Sequence, residues 1–226
     1  MLAGDQIESD FKAIQTKLAQ AATKLTYARQ KVARKLANAI HEQLSSLYLE
    51  KAIFNVHFQK QSSPQYTQYG QDQIAFYLRT NPGEELKPLV KIASGGELSR
   101  IMLAIKTIIA HSEGVTSIIF DEVDTGVSGR VAQAIADKIN GIARYSQVLC
   151  ITHLPQVAAM SDHQYLIEKK STKKRTTTTL HKVEGQARVE VLAKMIAGKV
   201  VTDLARKHAA ELLKQADDIK AKRSRA

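Results

Sequence analysis

The sequence lacks several features that mark common classes of protein. Its 226 residues contain no tryptophan and a single cysteine. That cysteine, Cys150, cannot form a disulfide within the chain, and its place in an apolar run predicts a small core residue. No apolar run approaches the roughly 20 residues that span a bilayer, and the amino terminus lacks the basic start and apolar stretch of a secretory signal. We therefore expect a cytoplasmic protein without a membrane span.

The sequence also lacks a phosphate-binding loop. Nowhere does it contain the pattern G-x-x-x-x-G-K-[ST], in which backbone N–H groups and a lysine cradle the phosphates of a nucleotide. The pair Gly198-Lys199 has neither the preceding glycine nor the following hydroxyl residue. This chain alone is therefore not expected to hydrolyse a nucleoside triphosphate.

Positive charge is abundant. The chain has 33 lysines and arginines against 22 acidic residues, for a formal net charge of +11. Such an excess favours a polyanionic partner, because cationic side chains that neutralise phosphates release bound counterions. Many basic proteins bind no nucleic acid, so the charge leaves both interpretations open.

A heptad pattern occupies the first 50 residues. Between Asp5 and Glu50 there is neither proline nor glycine, which predicts one long helix. After Lys35 the pattern shifts to Leu36, Ala39 or Ile40, Leu44 and Leu47. Two structures fit this helix: one strand of a coiled coil, or an amphipathic helix packed on its own domain. The heptad positions are Ile7, Phe11, Ile14, Leu18, Ala21, Leu25, Ala28 and Val32.

The remainder of the chain mixes strand and helix patterns. Short alternating or apolar runs predict strands, and longer periodic runs predict helices, including a largely buried one over 99–111. The segment 117–152 forms a strand–helix–strand unit with two buried parallel strands, which indicates an α/β fold. The predicted strands are 53–58, 73–78, 117–120, 148–152, 165–168 and 176–183, and the other predicted helices are 130–144, 189–196 and 202–220.

Three short elements could carry chemistry. The first is Ala93-Ser94-Gly95-Gly96-Glu97-Leu98-Ser99-Arg100, directly before the apolar helix. Its backbone N–H groups at the positive end of a helix dipole suit a phosphate, although such a loop could also be an ordinary helix cap.

The second and third elements stand at strand ends. Asp121 and Glu122 follow an apolar strand and could bind magnesium and an attacking water, although an acidic turn after a strand is common. His153 ends the next predicted strand, and a lone histidine is more often structural than catalytic. Each element is weak by itself, but their order along the chain is specific.

That order resembles the ABC-type ATPase heads, in which a signature loop, two Walker B acids, a D-loop and a switch histidine follow one another. Within that superfamily the sequence of these motifs is most similar to RecN, a bacterial repair family related to the SMC proteins. The similar stretches are ASGGELSRIMLAIK, IIFDEVDTGVSGRVA, ITHLPQVAAMSD and RVEVLAKMIAGKVVTDLARKHAAELL.

The resemblance implies a role for each site residue. Asp121 would hold Mg²⁺, directly or through a bound water, and Glu122 would orient and deprotonate the attacking water. His153 would sense the γ-phosphate. Ser94, Gly95, Gly96 and Glu97 would contact ATP seated on a second head, and Asp124 would help to organise the interface between heads.

The resemblance also implies an architecture and partners. Residues 1–50 would be the returning arm of a coiled coil, and residues 51–226 the C-terminal part of an ATPase head whose Walker A half lies elsewhere in the protein. Head-to-head dimerisation would follow ATP binding in a nucleoid-associated protein that repairs DNA double-strand breaks and binds broken DNA ends. Two rivals are a non-catalytic DNA-binding or scaffolding module and a transporter ATPase subunit, and the heptad arm argues against the latter. Candidate DNA contacts are Lys169, Lys170, Lys173, Lys174 and Arg175.

Overall fold

The computed structural model describes residues 2–59, 65–92, 96–114, 116–171 and 175–224. The chain forms two compact units, Met1–Ala93 and Ser94–Ala226. The mixture of helices and short strands confirms the α/β prediction. None of the helices in these described ranges is long and apolar enough to cross a membrane.

The first unit joins a long helix to a small antiparallel sheet in the order β1-β2-β3. Residue pairing between the first two strands runs from Ile53 with Arg79 to Gln59 with Gln73. The long helix and the first two strands confirm the sequence prediction. The elements are α1 (Leu2–Ser46), β1 (Ile53–Gln59), β2 (Gln73–Arg79), β3 (Lys87–Pro88) and a 3₁₀ turn (Leu89–Lys91).

Helix α1 ends at Ser46 rather than at the predicted Glu50. Tyr48 adopts a left-handed backbone conformation with φ of 60°, and the Leu49 N–H donates to the Leu44 carbonyl at 2.9 Å. These contacts form a Schellman-type helix end, in which the left-handed position normally carries glycine. The earlier end was not predictable from composition because a tyrosine occupies that position.

The two halves of α1 differ in burial. In the second half, Ile40 and Leu44 are fully buried, as is Leu47 directly after the helix, and α1 packs against β1. This change agrees with the shift of the apolar pattern after Lys35. In the first half the heptad positions are exposed, with the small Ala22 as a buried neighbour. The exposed large heptad residues are Ile7, Phe11, Ile14, Leu18, Leu25 and Val32.

The second unit contains a parallel strand pair, an antiparallel hairpin and five helices within its described residues. Strands β4 and β5 pair in parallel, as predicted, with Ser117 opposite Gln147 and Phe120 opposite Cys150. The elements are α2 (Gly96–Glu113), β4 (Ser117–Phe120), α3 (Gly129–Ile142), β5 (Gln147–Cys150), α4 (Pro155–Ala159), β6 (Gln164–Ser171), β7 (Thr176–Val183), α5 (Gly185–Ala197) and α6 (Asp203–Ser224).

One face of the β4–β5 pair is covered and the other is not. Ile118 and Phe120 point into the core, whereas Ile119, Leu149 and Ile151 are 69%, 49% and 52% exposed. Among the residues that the structure describes, the strands are therefore buried on one side only. Parallel sheets are normally covered on both faces, so the exposed face lacks a layer.

Helices α4, α5 and α6 share a small apolar cluster, which anchors the end of the chain. Arg188 fixes the turn after α4, since its guanidinium donates to the carbonyls of Ala159 at 3.0 Å and Ser161 at 2.8 Å. Lys220 on α6 donates to the same Ser161 carbonyl at 3.0 Å. The cluster consists of Ala158, Ala159, Leu192, Ala193, Ala205 and Ala209.

Candidate functional site

The parallel pairing of β4 and β5 brings the segments that follow both strands to one edge of the sheet. The pairing continues past β5, where the Ile151 N–H donates to the Phe120 carbonyl at 2.9 Å. Asp121 and Glu122 follow β4 directly, and His153 lies three residues beyond Cys150, the end of β5. Three side chains with candidate chemical roles therefore stand at neighbouring strand ends.

The acidic pair leads into a tight turn. Glu122 has a φ of 55°, an uncommon backbone conformation for a residue with a side chain, and its carbonyl accepts from the Thr125 N–H at 3.3 Å. Asp121 and Glu122 are both exposed. Left-handed conformations of this kind cost free energy and are concentrated at functional sites. Both carboxylates are therefore presented to solvent, and Glu122 adopts a backbone conformation that a side chain disfavours.

Asp124 joins the two strand ends from inside the protein. Only 1% of its surface is exposed. Its Oδ2 accepts hydrogen bonds from the Thr152 hydroxyl and from the His153 backbone N–H, the latter at 3.2 Å. Its Oδ1 lies 3.4 Å from His153 Nδ1, and the His153 side chain itself is 64% exposed. The buried carboxylate thus contacts both the backbone and the ring of the histidine.

The start of α2 lies against the same turn. A Cβ atom built on Gly96 would collide with the backbone carbonyl oxygen of Thr125. Glu97 is exposed on the first turn of α2, while Arg100 is half-buried and donates from Nε to the Gly96 carbonyl at 3.4 Å. Burial lowers the pKa of the Arg100 guanidinium, and the charge of Glu97 opposes that shift.

The structure brings together part of the predicted site. It places the strand-end residues Asp121, Glu122, Asp124 and His153 at one edge, and it sets Gly96 against the turn between them. Ser94 and Gly95 lie outside the described residues. The assigned roles stay predictions, and the Asp124 side chain is buried rather than presented at the surface.

Sequence reasoning missed Thr152. Its hydroxyl donates to Asp124 and its oxygen accepts from the Leu154 N–H at 3.0 Å, so it helps to hold the strand end in place. A hydroxyl residue before a histidine is too common to suggest such a role. Only the burial of Asp124 beside it makes the contact meaningful.

Cys150, predicted to be a core residue, is half-buried at the end of β5. Burial raises the pKa of its thiol to about 12, with smaller contributions from the negative charges of Asp124 and Asp121. The nucleophilic form of a cysteine is the thiolate. At neutral pH this thiol is therefore protonated and unsuited to nucleophilic chemistry.

Within the ranges that the structure describes, no group of three or more histidine, cysteine or acidic side chains forms a metal cage. Magnesium in nucleotide sites commonly uses one or two carboxylates together with phosphate oxygens and water. The exposed Asp121 carboxylate is compatible with such partial coordination.

Comparison with known proteins gives close relatives along nearly the whole chain. The chain is 51% identical over 217 residues to the DNA repair protein RecN of Halalkalibacterium halodurans, and 48% identical over 227 residues to that of Bacillus subtilis. In each case 95% of this chain is covered, but only 38% and 39% of the relative. The chain thus spans about two fifths of the length of these relatives. No family model matches.

Among solved structures, the chain resembles the Smc head domain with a coiled coil and joint from Pyrococcus yayanosii. The TM-score is 0.58 at 16% identity, over 83% of this chain and 34% of that chain. This likeness concerns the fold alone. The sequence identity to the two RecN proteins identifies the chain as a C-terminal segment of the RecN family, and the structural likeness shows that it has the fold of an SMC-type head.

Proposed function

We propose that this chain supplies the signature, Walker B and switch-histidine elements of an ATP-hydrolysing head in a RecN-type DNA repair protein. One observation carries the proposal: Asp121, Glu122 and His153 stand at the ends of two paired parallel strands, and buried Asp124 joins those ends. The ends of parallel strands are where α/β folds place ligands.

Each residue at the strand ends has a role in this proposal. The Asp121 carboxylate would hold Mg²⁺, directly or through a bound water, and the ion would supply positive charge beside the phosphates. Glu122 would orient the attacking water and accept its proton on a carboxylate oxygen. His153 would contact the γ-phosphate with its exposed ring. Ser94, Gly95, Gly96 and Glu97 would contact ATP seated on a second head.

The exposed face of the β4–β5 pair supports a head that is divided between two parts of the protein. Ile119, Leu149 and Ile151 form an apolar surface on strands that normally have cover on both sides. The relatives have more than half of their length outside the matched region. We infer that the N-terminal part of the same protein covers this face and supplies the Walker A loop.

The exposed heptad positions of α1 support the coiled-coil interpretation. Ile7, Phe11, Ile14 and Leu18 are between 43% and 69% exposed, on the part of the helix that precedes its packing against β1. An exposed apolar seam is stabilised by a second helix. The returning arm of a coiled coil therefore accounts for this seam better than a helix packed along its own domain.

The proposed partner of the intact protein is DNA, with broken ends as the favoured form. Lys169 and Lys170 on β6 are exposed, and Arg175 precedes β7. These residues remain candidates for phosphate contacts, while Lys173 and Lys174 lie outside the described residues. DNA binding would couple to a cycle in which ATP holds two heads together and hydrolysis releases them.

The test is ATP hydrolysis by this chain alone and by a mixture with the N-terminal part of the same protein. We expect turnover only in the mixture, and loss of turnover with Glu122→Gln. This variant keeps the size of the side chain but cannot accept the proton, so ATP-bound head dimers should accumulate in sedimentation experiments. Turnover by the chain alone would show that it contains a phosphate cradle of its own.

Glu211→Gln is the matched control, because Glu211 is exposed on α6 and has no assigned role in the site. Its turnover should equal that of the unchanged mixture. Equal turnover for Glu122→Gln would contradict the role of Glu122.

A non-catalytic DNA-binding or scaffolding module is the second candidate, favoured by the basic hairpin of β6 and β7. It would gain support if a folded complex with the N-terminal part bound DNA and hydrolysed no ATP.

A further inference from the structure

The Asp124 side chain is buried, although its place in the turn does not require burial. A carboxylate is costly to bury unless its oxygens are satisfied, yet Asp124 is among the most buried side chains of the chain. A residue whose task was to face a second head would be exposed. The burial points to a task within its own chain.

Both oxygens of Asp124 face the segment that contains His153. Oδ2 accepts from the Thr152 hydroxyl and from the His153 backbone N–H at 3.2 Å. Oδ1 stands 3.4 Å from Nδ1 of the His153 ring. Since Nδ1 faces the carboxylate, the opposite ring edge with Nε2 faces away from it, on a side chain that is 64% exposed.

The turn that carries Asp124 is itself braced. The close approach of Gly96 to the Thr125 carbonyl leaves no room for a side chain between the start of α2 and the turn. Val123, on the other side of Asp124, is fully buried. The carboxylate is therefore held by buried neighbours, and His153 is the more exposed partner.

We propose that Asp124 is a positioning residue for His153, which fixes the backbone after β5 and turns the Nε2 edge of the ring outward. Of the two neutral forms of the ring, a carboxylate opposite Nδ1 favours the one that carries its proton on Nδ1. The proposal rests on the proposed function for its catalytic meaning, since an outward Nε2 edge is what a contact with the γ-phosphate would use. Asp124 thereby acts through His153 and does not itself touch the nucleotide.

The first test is nitrogen-15 NMR of the histidine rings in this chain at about pH 8.5, where free imidazole is neutral. His153→Gln identifies the His153 resonances among those of the seven histidines. We expect the proton on Nδ1 in the unchanged chain. In Asp124→Asn the amide oxygen is needed by the His153 backbone N–H, so the amide NH₂ faces Nδ1 and the proton should move to Nε2.

Asp162→Asn is the matched control. It removes a carboxylate that pairs with Lys220 at 2.8 Å, and it should leave the His153 resonances unchanged. Identical His153 resonances in the folded Asp124→Asn and unchanged chains would overturn the proposal.

The second test measures turnover in the mixture with the N-terminal part. Asp124→Asn should lower kcat on the order of tenfold or more, as loss of an orienting partner commonly does. KM for ATP should change by less than about twofold, because the nucleotide contacts remain. A rise in KM with unchanged kcat would overturn the proposal.

Thr152 provides a second variant in case Asp124→Asn does not fold. Thr152→Val removes one donor to Oδ2, so it should weaken the positioning of the His153 ring and lower kcat by a smaller factor. Thr152→Ser keeps the hydroxyl, so it should retain both the ring resonances and the kcat of the unchanged chain. An unchanged spectrum and turnover in Thr152→Val would count against the proposal. If the mixture hydrolyses no ATP at all, the proposed function fails, but the ring resonances still decide whether Asp124 positions His153.

Discussion

At the scale of single residues, the contact between Gly96 and Thr125 shows why the helix start contains glycine. Glycine usually serves for conformational freedom, but the structure gives Gly96 no positive φ. The space is what matters, because the Thr125 carbonyl occupies the volume of a Cβ atom. This requirement arises from an element that lies 29 residues away in sequence and is not visible in the local motif.

We predict that Gly96→Ala destabilises the second unit. The added methyl group must displace backbone atoms, and overpacking of this kind typically costs about 1–3 kcal/mol. Hydrogen exchange measured by mass spectrometry should become faster in peptides that cover 121–126 and the first turn of α2.

Gly141→Ala is the control for this change. Gly141 also lies in a helix, α3, but nothing stands within 4 Å of an added Cβ. Replacing this glycine by alanine should stabilise α3 by up to about 1 kcal/mol. If the two variants exchanged alike, steric contact with Thr125 would not be the reason for glycine at position 96.

At the scale of elements, α1 is held to the β1–β2 connection by a buried acid. Asp72 accepts hydrogen bonds from Thr26 at 2.6 Å and from Arg29 at 2.9 Å, and its side chain is only 6% exposed. Arg29 also donates to the Tyr69 carbonyl at 2.7 Å. The connection therefore contacts α1 near the midpoint of the helix.

We predict that Asp72→Ala weakens the attachment of the β1–β2 connection to α1. The change leaves the half-buried Arg29 without its carboxylate and should cost the first unit about 2 kcal/mol. Peptides that cover 65–72 should then lose protection against hydrogen exchange.

Glu8→Ala is the comparison, because it removes an ion pair on the same helix that is exposed on both sides. A surface pair of this kind contributes at most about 0.5 kcal/mol. Equal effects of the two substitutions would show that the burial of Asp72 does not strengthen its contacts.

The elements also show what sequence patterns can and cannot predict. Long periodic segments such as α1 and α6 were predicted because many residues repeat the same spacing. The short helix Pro155–Ala159 and the strand Lys87–Pro88 were missed, since five and two residues are too few to show a period.

The same limit applies to the candidate site. Asp121, Glu122 and His153 were predicted because each ends an apolar strand, and parallel strands place their ends together. The part played by Thr152 was not predictable, because it depends on which side chain the turn after β4 buries. The burial of Asp124 itself follows from tertiary packing, in which Val123 and Asp124 enter the core while Asp121 and Glu122 stay outside.

At the scale of the whole molecule, the dominant feature is the β4–β5 sheet, which the described part of the chain covers on one face only. Ile119, Leu149 and Ile151 expose apolar surface that would be buried in a complete α/β layer. We therefore expect this apolar surface to promote a different association in each of two settings. In the isolated chain it should favour self-association, and in the complete protein, under the proposed function, it should favour assembly of the head.

We predict that Ile119→Thr separates these two effects. In the isolated chain it should reduce self-association in sedimentation and reduce the binding of an apolar fluorescent dye, because less apolar surface remains. In the mixture with the N-terminal part it should weaken complex formation about tenfold, which corresponds to the loss of about 1.4 kcal/mol of apolar burial.

Val90→Thr is the matched control, since Val90 is 92% exposed in the first unit and lies outside the β4–β5 face. It should change neither measurement appreciably. If Ile119→Thr left the affinity for the N-terminal part unchanged, that part would not cover this face, and the division of the head across it would be wrong. If the affinity fell while Val90→Thr had no effect, the exposed face of β4 and β5 would be the surface on which the two parts of the head meet.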